Sequence, residues 1–213
     1  MINNRKELVE KLIKLGYLKS INIINAFNQT PRENFISISL KEKAYFDSPL
    51  EIGFNQTISA PHMIAIMCEA LDLKKGQKIL EIGTGSGYHA AIVSKIIGNS
   101  GFIYTIERHD DLAVKAKENF KRLDIKNIKV CVGDGSEGLE EYKPYDRIYV
   151  TCAAPEIPQP LISQLKTYGQ LLIPVGKLFC ELILLKKEKN KIITNNLGGC
   201  AFVPLIGKYG HKD

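Results

Sequence analysis

The chain has 213 residues, 45% of them hydrophobic and 24% charged, and a net charge of +6. These values leave room for one large domain with a proper core and exclude a collagenous, low-complexity or disordered chain. No stretch is long and apolar enough to span a bilayer, and the charges scattered through residues 1–14 argue against a signal peptide.

In chain order, Glu7–Leu15 reads as an amphipathic helix, with Leu8, Leu12 and Leu15 recurring at helical spacing and Gly16 as its stop. A second short helix is predicted from the N-cap candidate Ser20 through Phe27. Thr30-Pro31-Arg32-Glu33 has the cap and first-turn proline of another helix start. Residues 1–42 thus form a helical N-terminal layer within a single domain of 1–213. Residues 43–62 have no clear period and are dense in polar side chains (Asp47, Asn55, Gln56, Thr57, Ser59, His62), with Tyr45, Leu50, Ile52 and Ile58 as apolar anchors. A loop of this length in a compact domain is usually functional or disordered, and the anchors point to order. On local spacing Ser59 has two open roles, capping the helix that starts at Pro61 or taking part in chemistry.

The α/β core of 63–213 opens with that helix (Met63, Ile64, Met67, Leu71) and then turns on KILEIGTGSGY, residues 78–88. A buried strand runs into Gly83, Gly85 and Gly87, and a helix follows from Tyr88 to Ile97, the first half of a βαβ unit. Glycine lets the backbone turn sharply and approach a ligand, and the helix start offers unpaired N–H groups to the same spot. A dinucleotide fingerprint needs glycine at position 88, where Tyr88 stands. Glu81 lies just inside this strand, and a second strand, Phe102–Ile106, ends in Glu107, placed to accept from ribose hydroxyls. A ribose-bearing cofactor without a pyrophosphate fits better than NAD, and the loop resembles motif I of the AdoMet-dependent methyltransferases.

The alternation continues with a helix over Asp110–Leu123, a strand over Ile128–Val132 leading to Gly133-Asp134-Gly135, a strand over Asp146–Val150, a helix over Leu161–Leu165 and a strand over Leu171–Val175. Glu181–Leu185 and Lys191–Thr194 read as a hairpin, and Ala201–Leu205 as a last strand before the tail 206–213. This predicts a mostly parallel sheet with one antiparallel strand. The ends of three consecutive strands then supply a glycine cradle, a ribose acceptor and, at Asp134-Gly135, a polar group suited to an adenine edge.

The five cysteines are dispersed without CxxC or CxxH spacing and the four histidines lie far apart, which points to reduced thiols in the cytoplasm and no metal site. The lysine clusters 74, 75, 78 and 186, 187, 189, 191 read as solvated strand ends, with an RNA-binding patch as the minority reading.

Across nearly its whole length the chain resembles the protein-L-isoaspartate (D-aspartate) O-methyltransferases. The resemblance rests on AYFDSPLEIGFNQTISAPHM (44–63), KILEIGTGSGYHAA (78–91), IYTIERHDDLAVKAKENF (103–120), VGDGSEGL (132–139), YDRIYVTCAAPEIPQPLISQLKTYGQLLIPVG (145–176) and FVPLIGKYG (202–210). The QTISAPHM run and the FVPLIG ending are specific to that family. The resemblance implies a Rossmann-like AdoMet-dependent methyltransferase fold of seven strands. S-adenosyl-L-methionine would be the methyl donor, S-adenosyl-L-homocysteine the product, and the free α-carboxylate of an L-isoaspartyl residue in a damaged protein the acceptor. By that match Ser59 is the active-site serine. Gly83, Gly85, Glu107, Asp134 and Gly135 would contact the cofactor, with Thr57, Ile58, Ser59, His62, Glu81 and Thr84 beside it. The 203–206 segment (Val203, Leu205, Ile206), with Ser59, would hold the peptide. Ser48, Glu51 and Asn55 stand where the family pattern has arginine, proline and glycine, and His211 where bacterial and archaeal relatives often carry tryptophan.

An α-carboxylate with a pKa near ~3.5 is ionised at neutral pH, so no general base is required. Consistent with that, His62 has no evident proton-transfer partner and reads first as structural. Two other readings share the cofactor fold: an RNA methyltransferase, and an AdoMet-binding protein without turnover. The absence of an exposed heptad pattern suggests a monomer.

Overall fold

The apolar runs of the second half of the chain assemble into one sheet whose two faces are set by residue parity. The computed structural model describes residues 4–177 and 179–212. The first three residues of the expected helical layer and Asp213 of the expected tail lie outside them. A hairpin comes first, β1 (Leu50–Gly53) with β2 (Gln56–Ile58). The sheet follows with β3 (Lys78–Ile82), β4 (Phe102–Glu107), β5 (Ile128–Val132), β6 (Tyr145–Val150), β7 (Leu165–Gly176), β8 (Cys180–Lys187) and β9 (Ile192–Cys200). Its seven strands lie in the order β5-β4-β3-β6-β7-β8-β9. From β3 to β7 neighbours are parallel, whereas β8 is antiparallel to both β7 and β9 and so runs against the rest. The helices are α1 (Arg5–Lys14), α2 (Ile21–Gln29), α3 (Pro61–Ala70), α4 (Tyr88–Ile97), α5 (Asp110–Arg122) and α6 (Gln159–Gln164).

Alternation sorts the core into two layers. Ile79 and Tyr149 join the cluster packed by α1 to α5, while Leu80, Ile82, Ile148 and Val150 join the one under α6. Leu8, Leu12, Ile23, Phe27 and Phe35 share the first cluster with Ala90 and Ile97 of α4, so the N-terminal layer has no core of its own. Burying a leucine or phenylalanine fully contributes roughly 1.5–3 kcal/mol, which α1 and α2 gain only by docking. Glu69 of α3 fastens that docking by accepting from the N–H of Lys19, the N–H of Ser20 (both 2.8 Å) and the Ser20 hydroxyl (2.6 Å) at the head of α2.

Three expectations change. The loop expected over 43–62 contains the β1–β2 hairpin, since Gln56–Ile58 pairs back on Leu50–Gly53. The predicted helix start at Thr30–Glu33 is a short 3-10 turn, Arg32–Phe35, because the Arg32 side chain is drawn into the interior. Ala201–Leu205 is not a strand of the sheet: the ladder runs on to Cys200, and the chain then crosses the strand ends, where Pro204 bridges to Ala153 and Ile206 to His211. Pro204, which has no N–H to give, sits at that crossing. From β3 the chain steps outward to β4 and β5 and then returns to β6 on the other side of β3, so a crevice opens at the C-terminal ends of β3 and β6 where the strand order reverses.

Candidate active site

The crevice is a cleft lined by residues 56–59, the ends of β3, β4 and β6, and residues 203–206. Its floor is the glycine loop after β3, where Gly83 and Gly87 have φ of 90° and 86°, the left-handed region that side chains disfavour. A Cβ on Gly83 would stand 2.4 Å from the Thr151 hydroxyl and one on Gly87 2.5 Å from the Phe120 ring, so no other residue fits either place. Glu107, at the tip of β4, lines the cleft while its carboxylate accepts from the N–H groups of Gly85 (2.8 Å), Arg108 (3.0 Å) and His109 (3.1 Å).

The hairpin β1–β2 forms the roof. Ile52 lies against Gly85, while Thr57 and Ile58 of β2 and the adjoining Ser59 line the cleft. The hairpin turns at Phe54 and Asn55, both left-handed with φ of 55° and 56°. Asparagine tolerates that region, so the departure from glycine at Asn55 leaves the turn intact. A left-handed phenylalanine is strained by roughly 1–2 kcal/mol. Its ring stacks on His109, centroids 5.1 Å apart and planes 26° apart, two residues past Glu107.

Arg32 holds this roof from behind. Fully buried, its guanidinium donates to the carbonyls of Ala44 (2.8 Å), Phe46 (3.1 Å), Ser48 (2.9 Å) and Ser59 (3.2 Å), and burial lowers its pKa. One side chain thus gathers carbonyls from 44 to 59 and includes the serine of interest. The bond to Ser48 uses its carbonyl, so the departure from arginine there does not alter the clamp. Ser59 does not cap α3: the N-cap is Ala60, with no side-chain cap bond. Its hydroxyl makes no hydrogen bond among the described residues and is free for a ligand.

Of the residues expected at the site, Thr57, Ile58, Ser59, Gly83, Thr84, Gly85, Glu107, Gly135, Val203, Leu205 and Ile206 line the cleft. Glu81, His62 and Asp134 do not, each for a physical reason. The Glu81 side chain points into the first core layer, where Thr105 (2.5 Å) and Tyr149 (2.9 Å) donate to it, and burial pushes its carboxyl up to about 8. Thr105 also bonds Thr84 (2.7 Å), linking Glu81 to the cleft wall. His62 is turned to Asp47, which accepts from its backbone N–H and lies 2.9 Å from Nδ1. Asp134 accepts from the N–H (2.8 Å) and hydroxyl (2.7 Å) of Ser136 and from the N–H of Lys208 (2.7 Å). Burial opposes its ionisation, but these donors outweigh it and hold the carboxyl below the usual range.

Sequence reasoning missed Arg32, Thr151 and His89. Thr151 donates to the carbonyl of Gly83 (2.7 Å) and fixes the cradle. His89 lines the cleft from α4, and its only signal is a polar residue inside an apolar helix start.

The last wall is 203–206. Ala153 donates to Val203 (2.8 Å) and accepts from Leu205 (2.7 Å), which leaves the backbone groups of Pro204 and Ile206 on the other side. Lys208 and Tyr209 tie this segment to Asp134 and Ser136, and His211 donates its N–H to Leu205 (2.7 Å). A narrow glycine floor, a carboxylate after β4 and a lining glycine, Gly135, after β5 suit an adenosine-bearing cofactor. A free hydroxyl and unpaired backbone groups stand opposite.

Comparison with known proteins agrees with that geometry. The model of the family described as Protein-L-isoaspartate(D-aspartate) O-methyltransferase (PCMT) matches residues 3–210. The chain is 52% identical over 209 residues to a protein-L-isoaspartate O-methyltransferase of Methanococcus aeolicus, covering 98% of this chain and 97% of that one. A solved protein-L-isoaspartate O-methyltransferase superposes with a TM-score of 0.89 at 34% identity, covering 97% of this chain and 67% of that chain. A Plasmodium falciparum structure described as the same enzyme, in complex with S-adenosyl-L-homocysteine, gives 0.86 at 31%, covering 96% of this chain and 99% of that one.

Proposed function

Because this chain belongs to the protein-L-isoaspartate(D-aspartate) O-methyltransferase family, we propose that its cleft carries out protein repair with Ser59 as the residue that holds the acceptor. The reaction is transfer of the S-adenosyl-L-methionine methyl group to the free α-carboxylate of an L-isoaspartyl residue, giving an ester that collapses to a succinimide. When bound, the cofactor supplies an electrophilic sulfonium methyl.

The remaining work belongs to the chain. Glu107, its carboxylate fixed by the N–H of Gly85, takes the ribose side, and the loop at Gly135, which lies close on Ile82, takes the base. Thr57, Ile58 and Thr84 shape the cofactor's edge, while Glu81, His62 and Asp134 position the walls from outside the cleft. The Ser59 hydroxyl donates one hydrogen bond to the acceptor carboxylate and leaves the other oxygen free for in-line attack. The segment of Val203, Leu205 and Ile206 carries the peptide, through the backbone groups of Pro204 and Ile206 that Ala153 and His211 do not use. Orientation of this kind contributes on the order of 7–11 kcal/mol in favourable cases. The acceptor is already ionised, which matches a cleft whose buried imidazole, His89, is pushed down to about 3 and whose Cys152 thiol is pushed up, so neither is poised as a base.

A single observation carries this reading: the unpartnered Ser59 hydroxyl, held by its own carbonyl on Arg32, between the glycine floor and the 203–206 wall. The lysine clusters support a protein substrate over a nucleic acid. Lys187 is spent on the carbonyls of Ile162 and Leu165, and Lys74 and Lys191 pair with Asp72 and Glu188. The unpaired cysteines and the shared core of the N-terminal layer support a cytoplasmic, single-domain monomer. No helix of the described residues is long and apolar enough to cross a membrane.

The test offers methyl-labelled S-adenosyl-L-methionine with two peptides that differ only in an isoaspartyl or aspartyl linkage. Label released as methanol after mild base should come from the isoaspartyl peptide alone. Ser59→Ala should lose most turnover yet bind S-adenosyl-L-homocysteine as the wild type does. Full activity in that variant removes the serine from the mechanism.

A further inference from the structure

His89, the second residue of α4, is 7% exposed yet lines the cleft. Its Nε2 lies 3.5 Å from the sulfur of Cys68, a fully buried thiol that burial keeps protonated and therefore able to donate. An Nε2 that accepts from S–H leaves the ring proton on Nδ1, a tautomer assigned from this contact. Nδ1 is buried and has no hydrogen-bond partner among the described residues. A buried donor without a partner is costly in a folded protein and calls for a ligand.

The position of the ring selects which part of the ligand. Gly135 and Glu107 mark the base and ribose at the ends of β5 and β4. His89 lies on the opposite flank, its ring packed on Tyr149 of β6 at 4.5 Å and against Cys68 of α3. A nucleoside running from β5 past β4 to β3 brings its amino-acid moiety to that flank. Of the two charged groups there, the ammonium only donates and the carboxylate only accepts, so an N–H donor fits the carboxylate. We propose that His89 is a cofactor-binding residue whose Nδ1–H holds the carboxylate of the methionine moiety. Burial pushes the imidazole pKa down to about 3, so the ring stays neutral and keeps this tautomer through the working pH range. The inference rests on the S-adenosyl-L-methionine reading above.

Titration calorimetry on the purified protein tests it with two probes, S-adenosyl-L-homocysteine and its decarboxylated analogue, which keeps the ammonium. His89→Leu should weaken the first on the order of ten- to a hundred-fold and the second by no more than about two-fold. His89→Asn, whose amide nitrogen stands where Nδ1 was, should bind the first within a few-fold of wild type. Without ligand, His89→Leu should melt no lower than wild type, since an unpaired buried donor has been removed. Equal loss for both probes, or loss for neither, overturns the assignment while leaving the cofactor reading in place. A wild-type protein that binds neither probe overturns both.

Discussion

Replacing Arg32 by lysine keeps the charge and discards the fork. The guanidinium reaches carbonyls at residues 44, 46, 48 and 59 from two nitrogens, whereas a lysine ammonium, compact and on a different stem, reaches one or two of them. A hydrogen bond from a charged donor is worth ~1.5–3 kcal/mol, but the bonds to Phe46, Ser48 and Ser59 are partly buried, and water can replace some of what is lost. Loss of two bonds therefore costs about 3 kcal/mol. For a chain of this length that is roughly 6–12 °C in Tm. The same change frees the carbonyl of Ser59, and a displacement of ~1 Å at a reacting centre can cost on the order of a hundred-fold. Calorimetric melting and kcat on an isoaspartyl peptide check both figures. An Arg32→Lys protein that melts and turns over like the wild type would refute the idea that this side chain builds the roof.

Glu81 gives a pH signature. Its folded carboxyl titrates near 8 against an ordinary 4.5, so between those values the native protein holds a proton that the unfolded chain has released. That stabilisation is full below about pH 4.5 and lost as pH rises through about 8. Denaturant unfolding from pH 5 to 9 should show stability declining in wild type and a flatter profile in Glu81→Gln; parallel profiles would show that the buried carboxyl is already ionised. Phe54→Gly should leave stability within about 1 kcal/mol, because relief of the left-handed strain offsets loss of the stack on His109. Stopped-flow release of S-adenosyl-L-homocysteine should nevertheless be faster, and an unchanged rate would mean the roof opens elsewhere. Glu107→Ala should weaken S-adenosyl-L-homocysteine by about 1–3 kcal/mol for a lost charge-assisted hydrogen bond. Unchanged calorimetric affinity would place the ribose contact on another group.

The glycine floor and Glu107 are legible in the sequence because each is forced by a local constraint. No side chain fits beside Thr151 or Phe120, and an acidic residue at a strand tip reads as an acceptor, which Glu107 is for three backbone N–H groups. The parallel sheet is legible from its apolar runs. Arg32 is not, because a lone arginine before a loop carries no sign of the carbonyls twelve to twenty-seven residues away that it will meet. Glu81 and Asp134 have the right chemistry at the right strand ends, but which way a side chain turns depends on neighbours distant in sequence: Tyr149 for one, Lys208 for the other. The end of β9 is misplaced for a similar reason, since 201–205 has strand composition and only the crossing at Ala153 takes it out of the ladder.

The joint between Asp134, Ser136 and the 207–209 turn bears on how the two ligands sense each other. The loop proposed to stand beside the base and the segment proposed to carry the peptide share these hydrogen bonds, and at Gly207 an added Cβ would stand 2.0 Å from the Asp134 carboxylate. Ordering one wall therefore orders the other. Linkage makes that influence mutual: whatever factor the cofactor adds to peptide affinity, the peptide adds to cofactor affinity. Selection or engineering that retunes peptide preference through 203–209 will move cofactor retention with it, so the two traits are inherited as one.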